Sequence, residues 1–155
     1  MRRNFVRGKK RNKRMKKPKY FDLEEFLTSS TARQKSIENL PSWEIVVHLN
    51  ELAIFLDGLR EDWGSGINVS SGYRDEKLNK LVGGVDNSIH RIGYAADIVP
   101  ANGKMNEFKA FVKNWIKDKK FDQCIIERKG KTEWIHIGLY NNSGKQRHNI
   151  FSLVA

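Results

Sequence analysis

Apolar residues recur along this chain with two periods. Between Pro41 and Gly64, Ile45, Leu49, Leu52, Leu56 and Leu59 return at three- and four-residue steps. That spacing predicts one amphipathic helix, opened after Pro41-Ser42 and ended by Gly64-Ser-Gly66. A second amphipathic helix is predicted over Met105 to Lys119, with Phe108, Phe111, Val112 and Trp115 toward the core and its lysines on a solvated face. Asp22-Leu-Glu-Glu25 has the form of a capping box opening a short helix, which Thr28 to Thr31 break or re-cap. Asp75 to Leu81 forms another short helix, and Val82 to Val85 a flexible loop. Short β-type runs are predicted at Ile67–Val69, Ala95–Val99, Asp122–Glu127, Glu133–Leu139 and Asn149–Val154. The third and fourth are joined through Lys129-Gly130 as a hairpin, and the last closes the sheet. The fold class is α+β, a small antiparallel sheet with helices packed on it.

The two-residue period of a strand also sorts the polar residues. Asp97 shares a face with Ala95 and Val99, while Ala96 and Ile98 take the other. In the later strand Ile135, Ile137 and Leu139 face the core, and His136 looks the opposite way together with Trp134. An isolated histidine is ordinarily a satisfied core or surface residue. His90 and His136, accompanied by Asp97, instead make up the three-ligand set of a catalytic zinc, whose fourth position is kept for water. Gly93 stands where the chain must fold back if His90 and Asp97 are to reach one ion. His48, inside the first long helix, reads as structural. Gly83-Gly84 is not a phosphate loop, because no Lys-Ser/Thr follows it.

Charge changes the picture at one end only. The chain of 155 residues carries a formal net charge of +11, yet residues 1–19 hold eleven Lys or Arg and no acid, and the remainder is formally neutral. This segment is too poor in apolar residues to bury a core and is expected to be disordered when free. Residues 20–155 are one domain's worth of chain. No apolar run follows the basic residues, so they are not a secretion signal, and no stretch is long enough to span a membrane. The basic tail fits a solvated arm equally with attraction to nucleic acid, anionic lipid or anionic wall polymers. Cys124, the single cysteine, lies among isoleucines and should be buried. No disulfide is possible within the chain.

Ser88, His90, Gly93, Ala95 and Asp97 match the pattern Ser-x-His-x-x-Gly-x-Ala-x-Asp, and Glu133, Trp134 and His136 match Glu-Trp-x-His. Through these, and the flanking Ser71-Gly-Tyr-Arg74 and Val82-Gly-Gly-Val85, the chain resembles the zinc D-Ala-D-Ala peptidases of the M15 type. That superfamily also holds the lysostaphin-type enzymes and the hedgehog amino-terminal domain, and the likeness is to its phage and bacterial cell-wall branch. It covers roughly residues 20 to 153. It implies a hedgehog/DD-peptidase-like sheet bearing zinc on His90, Asp97 and His136, with Glu133 as general base. It also implies that Arg74 faces substrate, where a guanidinium can fork onto a carboxylate or an oxyanion. Ser88 is a candidate for holding substrate or a ligand, and a plain turn role suits it equally. Trp134 is a candidate cleft wall. A regular strand would point Glu133 and His136 to opposite faces, so Glu133 reaches the zinc only through a bulge or a stretch of non-strand backbone. Glu127, roughly across the hairpin, is the reserve base.

The resemblance thus implies a zinc-dependent peptidase of peptidoglycan stem peptides or cross-links, either carboxypeptidase or endopeptidase. The absence of an export signal adds a phage-type lytic enzyme, made in the cytoplasm and reaching the wall through a holin or from the virion. Two other classes compete. One is a virion-associated protein that binds nucleic acid or another polyanion through its basic tail. The other is a non-catalytic module stabilised by zinc, against which a retained general base argues.

Overall fold

A computed structural model describes residues 14–155. Among them five strands form one sheet in the order β1-β2-β4-β3-β5. These are β1 (Ile67–Ser71), β2 (Ala95–Pro100), β3 (Gln123–Lys129), β4 (Thr132–Gly138) and β5 (Asn149–Val154). The helices are α1 (Ser30–Gln34), α2 (Trp43–Trp63), α3 (Glu76–Leu81) and α4 (Met105–Trp115), with 3-10 turns at Leu23–Phe26, Ile89–Ile92 and Ile116–Asp118. The α+β class with its mainly antiparallel sheet is as expected.

The long helix α2 begins where Ser42 Oγ accepts from the amide of Ile45 and ends at Gly64 in the left-handed region, φ +75. Its predicted inner face is the buried one. Leu49, Leu52, Leu56 and Leu59 are at most 1% exposed, and each contributes about 2 kcal/mol by burial. They join Phe108 and Val112 of α4 and Ala96, Ile98, Ile135 and Ile137 of the sheet in a single core. Ser29 re-caps the chain, accepting from Ala32 to start α1. The turn opened by Asp22 is a 3-10 helix, with Glu25 accepting from the Asp22 amide. The α4 helix stops at Trp115 and tightens into 3-10 geometry through Asp118, shorter as an α-helix than the apolar spacing suggests. Cys124 is fully buried, which pushes its thiol up to about 12.

The final strand departs from expectation, for β5 runs parallel to β3 at the edge of the sheet. The reason is topological. The hairpin returns β4 to the level at which β3 began, with Gly138 opposite Gln123. The connection crosses that end of β3, so β5 sets out from Asn149 opposite Gln123 in the direction of β3. Asp122, fully buried, fixes the crossing: Arg147 Nε and Nη2 donate to its two carboxylate oxygens at 2.7 and 2.8 Å.

Of the basic segment, residues 1–13 lie outside those described. Its last part is laid along α2 instead of standing free: Asn50 Nδ2 donates to Lys16 O, Lys19 N to Asp57, and Lys19 Nζ pairs with Glu61 at 2.9 Å. No helix among the described residues is long and apolar enough to cross a membrane.

Candidate metal centre

The inner face of the sheet is covered by α2 and α4, and the outer face carries the site. Strand register places two of the predicted ligands in one row: Ser71 is opposite Asp97, Asp97 opposite His136, and His136 opposite Ile125. His90 comes from the preceding 3-10 turn, which Gly93 ends at φ +81, the fold-back the sequence required. A Cβ on Gly93 would also lie 2.9 Å from Ile45 Cγ2, so α2 presses directly on that turn.

His90 is buried, with Nδ1 donating to the carbonyl of Gly72 at 2.7 Å. A carbonyl can only accept, so the proton sits on Nδ1 and the lone pair on Nε2, the arrangement that orients a metal-ligating histidine. That Nε2 faces Asp97 Oδ1 at 3.3 Å, and His136 Nδ1 approaches the same oxygen at 3.2 Å. Burial drives the pKa of His90 down, keeping the imidazole neutral. A neutral nitrogen lone pair against a carboxylate oxygen calls for a cation between them. A tetrahedral zinc with bonds of about 2.1 Å spaces its ligands about 3.4 Å apart, close to the spacing seen here. The donor set fits a divalent metal, and all three ligand atoms lie within 4.8 Å of one another.

A cleft of about 740 Å³ opens over this group, lined by Arg74, Ser88, Glu127 and Trp134 as well as the three candidate ligands. The Arg74 amide donates to His90 O at 3.1 Å, and its Nη2 to Ser88 Oγ at 3.5 Å. Ser88 Oγ also accepts from the amide of His90, so it braces the ligand turn as well as the arginine. Burial lowers the pKa of Arg74, which the charges of Asp97 and Glu127 oppose. Arg74 Nε, Trp134 Nε1 and His136 Nε2 are buried without a hydrogen-bond partner among the described residues, and all three residues line the cleft. Such orphaned groups are costly unless a ligand meets them.

Glu133 is not in this cleft. The hairpin is regular, with Arg128 opposite Glu133 and Glu127 opposite Trp134, and no bulge rotates Glu133 outward. Its side chain lies on the helix side of the sheet, paired with Lys109 Nζ of α4 at 2.6 Å. Strand alternation therefore overrides the position implied by the motif. Glu127 occupies the site face: burial raises its pKa, and the charge of Asp97 raises it further.

Two supports escape a reading of the sequence. Gly72 serves through its backbone, and a Cβ there would come within 2.4 Å of Phe26 O. Asn39 brackets Arg74, donating to Tyr73 O at 3.0 Å and accepting from the Asp75 amide at 2.8 Å. Its one visible signal is an asparagine just before Leu40-Pro41, which also suits an ordinary turn.

The model of the family described as peptidase M15 matches residues 19–138, a span that contains the whole triad together with Arg74 and both glutamates. A comparison with curated proteins finds no match. A match over more than half the chain, on a site whose donors converge in this way, places the chain in the peptidase M15 family.

Proposed function

We propose that this peptidase is zinc-dependent and hydrolyses peptidoglycan stem peptides or cross-links, as a phage-type lytic enzyme does. The observation that carries the reading is the convergence of His90 Nε2 and His136 Nδ1 on Asp97 Oδ1, beside a basic carboxylate and an arginine in one cleft. His90, Asp97 and His136 would hold the zinc, which when bound polarises the scissile carbonyl and acidifies water.

The rest of the work falls to the chain. Glu127 accepts a proton from the attacking water and passes it to the amide nitrogen as the C–N bond breaks. Its raised pKa makes it a better base than an exposed carboxylate. Arg74, fixed by Asn39 and Ser88, offers its guanidinium to a substrate carboxylate or to the carbonyl oxygen as charge develops there. Trp134 forms a wall of the cleft on the His136 side. D-amino-acid peptides with free carboxylates suit such a combination of base and cation.

Digestion of purified peptidoglycan by the zinc-loaded protein, with products identified by mass spectrometry, tests this reading. Release of a terminal D-Ala marks a carboxypeptidase, and separated stem peptides an endopeptidase. Intact wall after exposure to folded, zinc-loaded protein would remove the substrate assignment. A second reading rests on the eleven Lys and Arg of residues 1–19: contact with a polyanion, whether nucleic acid, anionic lipid or wall polymer. Salt-dependent nucleic-acid binding that survives His136→Ala would favour it.

A further inference from the structure

We propose that His48 of α2 is a positioning residue for the metal centre, acting through the turn that carries His90 to Asp97. This rests on the metal reading above and extends it to a residue of the opposite layer. His48 Nδ1 donates to the carbonyl of Ile92 at 2.6 Å. Its ring lies flat on Tyr94, with centroids 4.0 Å apart and an interplanar angle of 15°. Gly93 is held between these two contacts, where a Cβ would stand 3.4 Å from His48 Cβ. One side chain thus holds both neighbours of Gly93, Ile92 by a hydrogen bond and Tyr94 by stacking.

The Tyr94 end of the turn is anchored elsewhere as well. Tyr94 OH donates to Glu51 on α2 at 2.9 Å, and Tyr94 O accepts from the Leu139 amide at 2.8 Å, just beyond β4 and His136. Ile45 of the same helix stands against Gly93. The bond from His48 holds Ile92, the last residue of the turn that carries His90, and so steadies the position from which His90 Nε2 faces Asp97 Oδ1. Since Ile92 O only accepts, His48 must carry its proton on Nδ1. That proton is present in the matching neutral tautomer and also in the imidazolium.

The geometry of the donor suggests the test. Asparagine places an amide nitrogen near the position of Nδ1, and glutamine places it near Nε2, while both stay polar and comparable in size. Zinc affinity of His48→Asn and His48→Gln would be measured by chelator competition, beside wild type and His136→Ala. Both variants lose the stacking on Tyr94, but His48→Asn keeps a donor to Ile92; it should bind zinc within a few-fold of wild type, and His48→Gln should lose about 10- to 100-fold, the usual effect of removing a support behind a metal ligand. Amide hydrogen exchange at Gly93 and Tyr94 in metal-free protein should quicken more in His48→Gln than in His48→Asn. Equal zinc affinity in the two variants and wild type overturns the positioning role while leaving the metal reading intact. No zinc binding by wild type, or binding unaffected by His136→Ala, overturns the metal reading and this inference with it.

Discussion

At the scale of single residues, the chemistry is set by which way a side chain points from the sheet. Glu127 and Glu133 stand on facing strands of one hairpin, both partly buried, yet one lies in the cleft and the other under a lysine. The difference appears in their charge environment. Burial first, and then Asp97, raises the pKa of Glu127. In the metal-free protein its carboxyl should therefore titrate above the ordinary glutamate value of about 4.3. An NMR titration of the metal-free protein measures this, and a value at or below the ordinary one would deny Glu127 the buried, acid-flanked setting described here. The same shift has a consequence for stability. A carboxyl whose folded pKa is raised contributes most below its unfolded pKa, and the contribution is lost as pH rises through the folded value. Metal-free Glu127→Gln should therefore resist urea at neutral pH at least as well as wild type.

At the scale of elements, two devices hold the site. Gly93 reverses the chain at φ +81 against Ile45. Gly93→Ala should cost more than about 2 kcal/mol, since the left-handed strain of about 1–2 kcal/mol is joined by a clash. Gly83→Ala, at φ +74 with open space around it, should cost only the strain. Urea titrations of the two compare them directly, and equal losses would mean that α2 does not press on the turn. The second device is the Asp122–Arg147 fork. Arg147→Met leaves a fully buried carboxylate unpaired and should cost about 3 kcal/mol. Adding Asp122→Asn should recover part of that loss; strict additivity would deny the pair its coupling.

Legibility in the sequence follows the same division. Helix α2 and the hairpin could be read because long runs of correctly spaced apolar residues leave few alternatives. The alternation within Trp134, Ile135 and His136 already warned that Glu133 would face away, and a regular β4 bears that warning out. The parallel setting of β5 could not be read, because alternation says which face a residue takes and nothing about which strand lies beside it. Asp122 and Asn39 were hidden for another reason. Their worth depends on partners 25 to 36 residues away in a fold not yet known.

At the scale of the whole molecule, the sheet separates two jobs. One face is a core built from leucine, isoleucine and phenylalanine, and the other is a polar cleft in which Arg74 Nε, Trp134 Nε1 and His136 Nε2 have no hydrogen-bond partner among the described residues. Such a face is stabilised by what it binds. At free zinc 100-fold above its dissociation constant, linkage predicts about 2.7 kcal/mol of added stability. That should appear as a rise of about 5–10 °C in Tm, reversed by chelation and missing in His136→Ala. A melting curve indifferent to zinc would contradict the metal centre. The described part of the basic segment lies along α2, with Lys16 O at Asn50 and Lys19 pinned to Glu61.

Glu127, and not Glu133, is the proposed base beside a metal that His90, Asp97 and His136 would hold. The most direct test of this assignment is the single-turnover rate of peptide cleavage by zinc-loaded Glu127→Gln and Glu133→Gln, each with bound zinc quantified. Glu127→Gln should retain zinc and lose about 100-fold or more in rate. Glu133→Gln should cleave within a few-fold of wild type and lose only about 1 kcal/mol of stability from its Lys109 pair. A slow Glu133→Gln beside a fast Glu127→Gln would exclude Glu127 as the base, and would mean that the hairpin twists on binding substrate to bring Glu133 to the site face.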